Sequence, residues 1–352
     1  MSIYTRVLRP LLFGLDPERA HSLTLAALAM AGLAPGVQAL LRRIYAGPPR
    51  PVDVFGLKFS NPLGLAAGYD KDGRAIKGLS CLGFGHLEVG TVTPEPQGGN
   101  PRPRIFRLPA DQALINRMGF PNAGSNALQE RLQRFDRRNI VLGVNIGKGM
   151  KTPLEQAVTD YLQLFDAFYD LADYLAVNIS SPNTIGLRRL QGRESLRQLL
   201  GALTDARRVK LVSGNRYKPL LVKLAPDLTP DELSDALDEM VTHAIDGVIV
   251  ANTTIEREGV CDPRSAESGG LSGAPLRARS TDMVREVHRL TSGKLPIIGV
   301  GGVFGIQDVE EKLDAGASLV QLYTGLVYQG PGLVRSILEA LAGRENLPEI
   351  RK

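Results

Sequence analysis

Asn145, Asn178 and Asn252 each close a short apolar run, and Lys71, Thr91 and Lys223 stand just after or at the end of three others. A lone asparagine in such a place usually caps a turn. Three asparagines and two lysines distributed this way point instead to one pocket, because amides and ammonium groups then converge from several sides on a flat, polar, acceptor-rich molecule. A second constellation is rich in glycine: Gly299-Val300-Gly301-Gly302-Val303, followed by Tyr323-Thr324-Gly325-Leu326. Glycines let backbone N–H groups converge on an anion, which suits a phosphate, although tight turns alone would also use them. The third is Asn178-Ile179-Ser180-Ser181-Pro182-Asn183-Thr184. Serine needs positioning and a route for its proton before it can act as a base. No G-x-S-x-G surrounds Ser181, which weighs against hydrolysis.

The elements that must carry these residues follow from periodicity. Short apolar runs predict strands at Pro62–Ala67, Leu87–Val89, Ile140–Ile146, Tyr174–Ile179, Pro219–Leu224, Gly247–Ala251, Pro296–Val300 and Leu319–Tyr323. Helical patterns fall between most of them, including Leu154–Leu171, Arg193–Arg208, Pro230–His243, Ala278–Leu290 and Ile306–Ala315, and Gly332–Leu341 follows the last. Strands apolar on both faces and separated by helices make a covered parallel sheet, and eight is the number that closes one. The expected fold is therefore α/β, a (β/α)8 TIM barrel. An open doubly wound sheet is the alternative, but Gly64 and Gly68 do not form the G-x-G-x-x-G it usually carries. Two inserts, 91–118 and 252–275, follow strands and so belong at the C-terminal mouth, where barrel chemistry sits.

Residues 1–45 read differently. Ile3, Val7, Leu8, Leu11, Leu12 and Phe13 recur near helical spacing, and Asp16-Pro17 offers an N-cap with proline at N1 for a run reaching Leu33. Pro35-Gly36 is expected to end that helix, with a last short turn over Val37–Ile44. Gly47-Pro48-Pro49-Arg50-Pro51 is a stiff linker, dividing a small helical extension (1–45) from a barrel domain (52–352). So many apolar residues need cover, either from the barrel or from a membrane surface. No stretch has the ~18 uninterrupted apolar residues of a spanning helix, and Asp16, Glu18, Arg19 and His21 interrupt any signal-peptide pattern.

The net charge of +5 is scattered rather than gathered into a stripe, which argues against nucleic acid as partner. Arg42, Arg43 and Arg50 form its densest group, either a solvated face or one drawn to an anionic membrane. Cys81 and Cys261 are too far apart in sequence for a C-x-x-C pair, and His21, His86, His243 and His288 show no metal-ligand spacing, so no metal site is expected.

Residues 64–73, 116–120 (Asn-Arg-Met-Gly-Phe), 178–184 and 252–254 resemble the signatures of dihydroorotate dehydrogenases, in order and along essentially the whole chain. The quinone-linked class of that family has a helical N-terminal extension, and a serine where the soluble classes place cysteine as base; this sequence has residues 1–45 and Ser181. The resemblance implies one FMN per chain, with its phosphate on Gly273, Gly302 and the Tyr323-Thr324 backbone. Ala67, Gly68, Tyr69, Asp70, Thr91, Asn145, Asn178, Lys223 and Ala251 would surround the rest of it, and Lys71 would touch both flavin and substrate. It implies an orotate pocket of Asn116, Asn178, Asn183, Asn252 and Thr253 with the backbone from Arg117 through Met118 and Gly119 to Phe120. Ser181 would take a proton from C5 of dihydroorotate while hydride leaves C6 for the flavin, and Thr184 and Phe120 would bound the proton's exit. His21, Arg107 and Tyr323 match the polar positions at the inner end of the quinone tunnel. Position 251 is Ala where some relatives carry Thr, which is harmless if only its backbone meets the flavin.

The resemblance also implies a peripheral, monomeric enzyme on the cytoplasmic face of the inner membrane, making orotate for pyrimidine synthesis. Three other readings compete with it: a phosphate-binding barrel lyase or isomerase using Lys223, a soluble fumarate- or NAD-linked dihydroorotate dehydrogenase, and a non-catalytic membrane-surface module.

Overall fold

The structure, a computed structural model, describes residues 3–136 and 140–343. The outer ends of the two expected segments, 1–2 and 344–352, lie outside the described residues. Eight parallel strands close on themselves in chain order: β1 (Leu63–Leu65), β2 (His86–Val92), β3 (Val141–Ile146), β4 (Tyr174–Asn178), β5 (Leu220–Lys223), β6 (Gly247–Val250), β7 (Ile297–Val300) and β8 (Leu319–Leu322). Val320 pairs with Leu63, which joins the last strand to the first. Each lies at a position its apolar run predicts, and the fold is a (β/α)8 barrel.

The strands are buried on both faces because helices cover the outside. Between β4 and β5, helix Arg193–Val212 buries Leu196, Leu199, Leu200 and Leu203, a stripe at i, i+3, i+4 and i+7. Helix Pro230–Thr242 starts on a capping box, in which Thr229 accepts from the Glu232 N–H and the Glu232 carboxylate accepts from the Thr229 N–H. Inside the barrel a separate apolar layer of Phe59, Tyr174, Leu221, Ile249, Ile298 and Leu319 fills one end. Phe59 is delivered by a hairpin of Val52–Val54 and Leu57–Phe59.

The two inserts meet. Strand Ala113–Asn116 of the first pairs with Gly270–Gly273 of the second on one side and with Ile105–Leu108 on the other, giving an antiparallel three-stranded sheet that sequence periodicity does not predict.

The N-terminal extension holds α1 (Arg9–Phe13, entered through a π-helical turn at Tyr4–Leu8), α2 (Pro17–Ala31) and α3 (Pro35–Tyr45). Asp16 caps α2, accepting from the Glu18 and Arg19 N–H groups. Pro35 begins α3 rather than ending α2, which stops at Gly32. At N1 proline lacks only an N–H that has no helical partner anyway. The Arg102, Arg104 and Arg107 run fastens these helices to the barrel: the first two grip Glu18, and Arg107 donates to the carbonyls of Phe13 and Leu15. No single helix among the described residues is long and apolar enough to cross a membrane, and α2 and α3, which together have the composition, bend by 113°.

Candidate active site

The C-terminal ends of the strands open into a cavity of about 150 Å³ under the three-stranded sheet. Its floor is a buried polar network. Thr91 Oγ1 donates to Asn145 Oδ1 at 2.5 Å and accepts from Asn178 Nδ2 at 2.8 Å. Asn145 in turn donates to Glu88 at 2.8 Å, and Glu88 also accepts from Tyr174 and Gln321. Lys223 Nζ lies 3.9 Å from the same carboxylate. Burial pulls the Lys223 ammonium pKa down, and the Glu88 charge opposes that. Glu88 and Gln321 were not singled out above, although a glutamate inside the apolar run His86-Leu87-Glu88-Val89 is itself a departure from strand patterning.

One wall carries the serine loop. Ser181 is 5% exposed, and its Oγ accepts from the Asn183 N–H at 3.2 Å. The Asn178 amide oxygen accepts from the Ser180 N–H and hydroxyl, and Asn252 Nδ2 donates to Ser180 Oγ at 2.9 Å. Asn183 donates to Asn116 Oδ1 at 3.1 Å. The side-chain hydroxyl of Thr184 is buried and has no hydrogen-bond partner. On the opposite side Lys71 donates to the Gly68 carbonyl at 2.8 Å, and burial lowers its pKa to about 8, so it stays cationic at neutral pH.

The glycines mark the anion end. Gly273, Gly301 and Gly302 all have positive φ, and a Cβ on Gly302 would fall 2.4 Å from that of Arg277. Ser272 and Thr324 exchange a hydrogen bond at 2.8 Å beside them.

Of the residues singled out in the sequence, Ala67, Gly68, Lys71, Thr91, Asn116, Met118, Gly119, Phe120, Asn178, Ser181, Asn183, Lys223, Ala251, Asn252, Thr253, Gly273, Gly302, Tyr323 and Thr324 line this cavity. Five do not. Asn145 stands behind Thr91 and Asn178 and orients both. Thr184 lies buried within the serine loop. The Asp70 carboxylate is spent on the Arg74 and Ala75 N–H groups, capping the next turn. The Arg117 guanidinium turns away to Glu267 and lies over the Phe106 ring. Tyr69 faces a second cavity.

That second cavity, of about 280 Å³, runs between α1, α2 and the barrel. Leu8, Leu12, Phe13, Ala27 and Leu28 make it apolar, and His21, Arg107 and Tyr323 are among the polar-bearing residues on its wall. The Arg107 guanidinium sits over the Phe13 ring at 4.6 Å. His21 stands edge-on to Tyr69, with ring centres 5.1 Å apart, and burial drops its pKa to about 4, so it is neutral. Ile105, Leu114 and Tyr323 line both cavities, so the two adjoin.

Comparison with known proteins agrees with this geometry. The family model for dihydroorotate dehydrogenase matches residues 51–344. A protein of Acidithiobacillus ferrooxidans named dihydroorotate dehydrogenase (quinone) is 52% identical over 342 residues, covering 96% of this chain and 94% of its own. One of the same name from Ralstonia nicotianae is 51% identical over 337 residues, covering 95% and 97%. The crystal structure of Eimeria tenella DHODH in complex with ferulenol superposes with a TM-score of 0.85 at 38% identity, covering 95% of this chain and 94% of that one. A cavity with these motifs on its wall, matched in sequence and in fold along nearly the full length, leaves one conclusion: the chain belongs to the dihydroorotate dehydrogenase family.

Proposed function

We propose that the chain oxidises dihydroorotate to orotate in pyrimidine synthesis, with FMN in the barrel mouth and a quinone as the final electron acceptor. The observation that carries this reading is the junction of the two cavities at Tyr323: one is polar and carries the serine loop, the other is apolar and roofed by the N-terminal helices. The relatives named for quinone supply the acceptor class.

The residues present fit a flavin. Gln321 lines the cavity and its amide oxygen is buried without a partner, an acceptor suited to a ring imide N–H. Ala67, Gly68, Thr91 and Lys223 would hold the ring, and Gly273, Gly302 and the Tyr323-Thr324 backbone the phosphate. When bound, FMN supplies the two-electron acceptor that connects the two half-reactions. The chain's own part is orientation and proton handling. Lys71 pairs with the substrate carboxylate, and Asn116, Asn178, Asn183 and Asn252 hold the ring amides. Ser181 Oγ receives the C5 proton as its own leaves along the side bounded by Thr184 and Phe120, where the Thr184 hydroxyl has no other partner. Burial of the floor keeps water from the reacting carbons.

Residues 1–45 form the quinone entrance to the barrel domain of 52–352. Leu11, Leu23, Met30 and Leu40 are exposed on its helices and Leu33 in the turn between α2 and α3, and Arg42 and Arg43 lie in the last turn of α3. This apolar and basic face rests on the cytoplasmic side of the inner membrane, the chain acting as a peripheral monomer.

The test is an anaerobic absorbance spectrum of the purified protein. A flavin band that bleaches with dihydroorotate and returns with quinone is expected. A colourless protein, or a flavin indifferent to dihydroorotate, overturns the reading and returns Lys223 chemistry to consideration.

A further inference from the structure

Glu18 begins α2, one turn before His21, and reaches out of the apolar cavity rather than into it. Its two oxygens accept from Arg104 Nη2 at 2.7 Å and Nε at 3.1 Å, a forked pair. Arg104 is 6% exposed, so this charge has little solvent to fall back on. The remaining Arg104 nitrogen donates to the carbonyls of Gly98, at 2.6 Å, and Asn100, at 2.9 Å. Asn100 Nδ2 donates to the carbonyl of Arg117 at 3.0 Å and to that of Asn183 at 3.2 Å. Its own N–H donates to Met118 at 2.9 Å. Asn183 is the residue whose N–H holds Ser181 Oγ, and Met118 and Asn183 line the substrate end of the polar cavity.

We infer that Glu18, Arg104 and Asn100 are positioning residues that tie the helix roofing the quinone cavity to the wall of the dihydroorotate pocket. The inference rests on the proposed reading of that pocket. The N-terminal extension then serves both half-reactions: it encloses the acceptor, and through Glu18 it sets where Asn183 and the Arg117–Met118 backbone meet the substrate. The unit works because the Glu18 carboxylate accepts the Arg104 fork, while the remaining donors of Arg104 and those of Asn100 are committed to backbone carbonyls. Arg104 cannot shift toward solvent without losing its fork on Glu18 and its bonds to the Gly98 and Asn100 carbonyls, and Asn100 cannot rotate without releasing two carbonyls at once.

Orotate binding to the full-length holoenzyme, followed by calorimetry, tests this in Glu18→Gln, Asn100→Ala and the double variant. Each single change is expected to weaken orotate about tenfold, and the double change by about the same factor, because residues acting through one another are not additive. Arg102→Ala, which removes an exposed arm on Glu18 outside this chain of contacts, should bind orotate as the unaltered protein does. Wild-type affinity in Glu18→Gln, single effects that multiply to about a hundredfold, or an equal loss in Arg102→Ala would each overturn the inference. Where Glu18→Gln does not fold, Arg104→Lys, which keeps the charge but loses the fork, is read in its place against the same outcomes. An unaltered holoenzyme that fails to bind orotate at all would instead overturn the assigned function.

Discussion

The Asn183 backbone N–H donates to Ser181 Oγ at 3.2 Å, from within the same loop. That bond engages one lone pair of the serine oxygen, and the loop is fixed in turn by Asn178 and Asn252 through Ser180. Ser181→Ala should therefore leave flavin content and orotate affinity intact. Reduction of the flavin by dihydroorotate should slow by about 10²–10⁴-fold, the range for loss of a positioned general base. Stopped-flow absorbance under anaerobic conditions measures it, and an unchanged rate would remove Ser181 from the reaction.

Lys71 gives a pH dependence with a definite sign. Its pKa is lowered to about 8, burial being the main cause, and in the proposed function this cation pairs with the substrate carboxylate. kcat/KM for dihydroorotate should fall as pH rises through about 8, while Lys71→Gln should be slow at every pH and lack that limb. Stability responds in the opposite direction. Between the folded value and the ordinary lysine value of 10.5 the unfolded chain binds more protons, so this group makes folding more favourable as pH rises there.

Ala27 lies on α2 and lines the apolar cavity. Ala27→Phe fills space that a quinone would need. Steady-state assays should show quinone KM raised by roughly tenfold or more, as expected for steric loss in an apolar pocket. Flavin reduction by dihydroorotate should be unchanged in the same variant, and equal damage to both half-reactions would argue that the cavity is not the quinone route.

Glu88 accepts from three side chains at the barrel centre and offsets the Lys223 charge. Glu88→Ala strands all of them where water does not reach. Denaturant unfolding should show a loss of about 3–5 kcal/mol, the usual cost of breaking one side of a buried charged pair. Glu88→Gln keeps the size and one acceptor and should cost less.

Local chemistry made much of this protein legible without coordinates. Eight apolar runs set the strand count, Asp16-Pro17 set the start of α2, and the order of Asn145, Asn178, Lys223 and Asn252 along successive strand ends announced a shared mouth, because strand ends of a closed barrel face one another. The serine loop and the glycines were visible for the same reason: their requirements lie within a few residues. Contacts between distant segments were not. Strand Gly270–Gly273 pairs with Ala113–Asn116, and Glu18 meets Arg104, across separations that leave no periodicity to read. Side-chain direction was equally hidden at Asp70 and Arg117, whose neighbours in sequence reach the cavity while they turn to a cap and to Glu267. Residue type and spacing say which groups are available and on which strand each stands. Which of them share a cavity, and that a second, apolar cavity opens beside them, emerges from packing, because burial and charge pairing are settled between elements rather than within them.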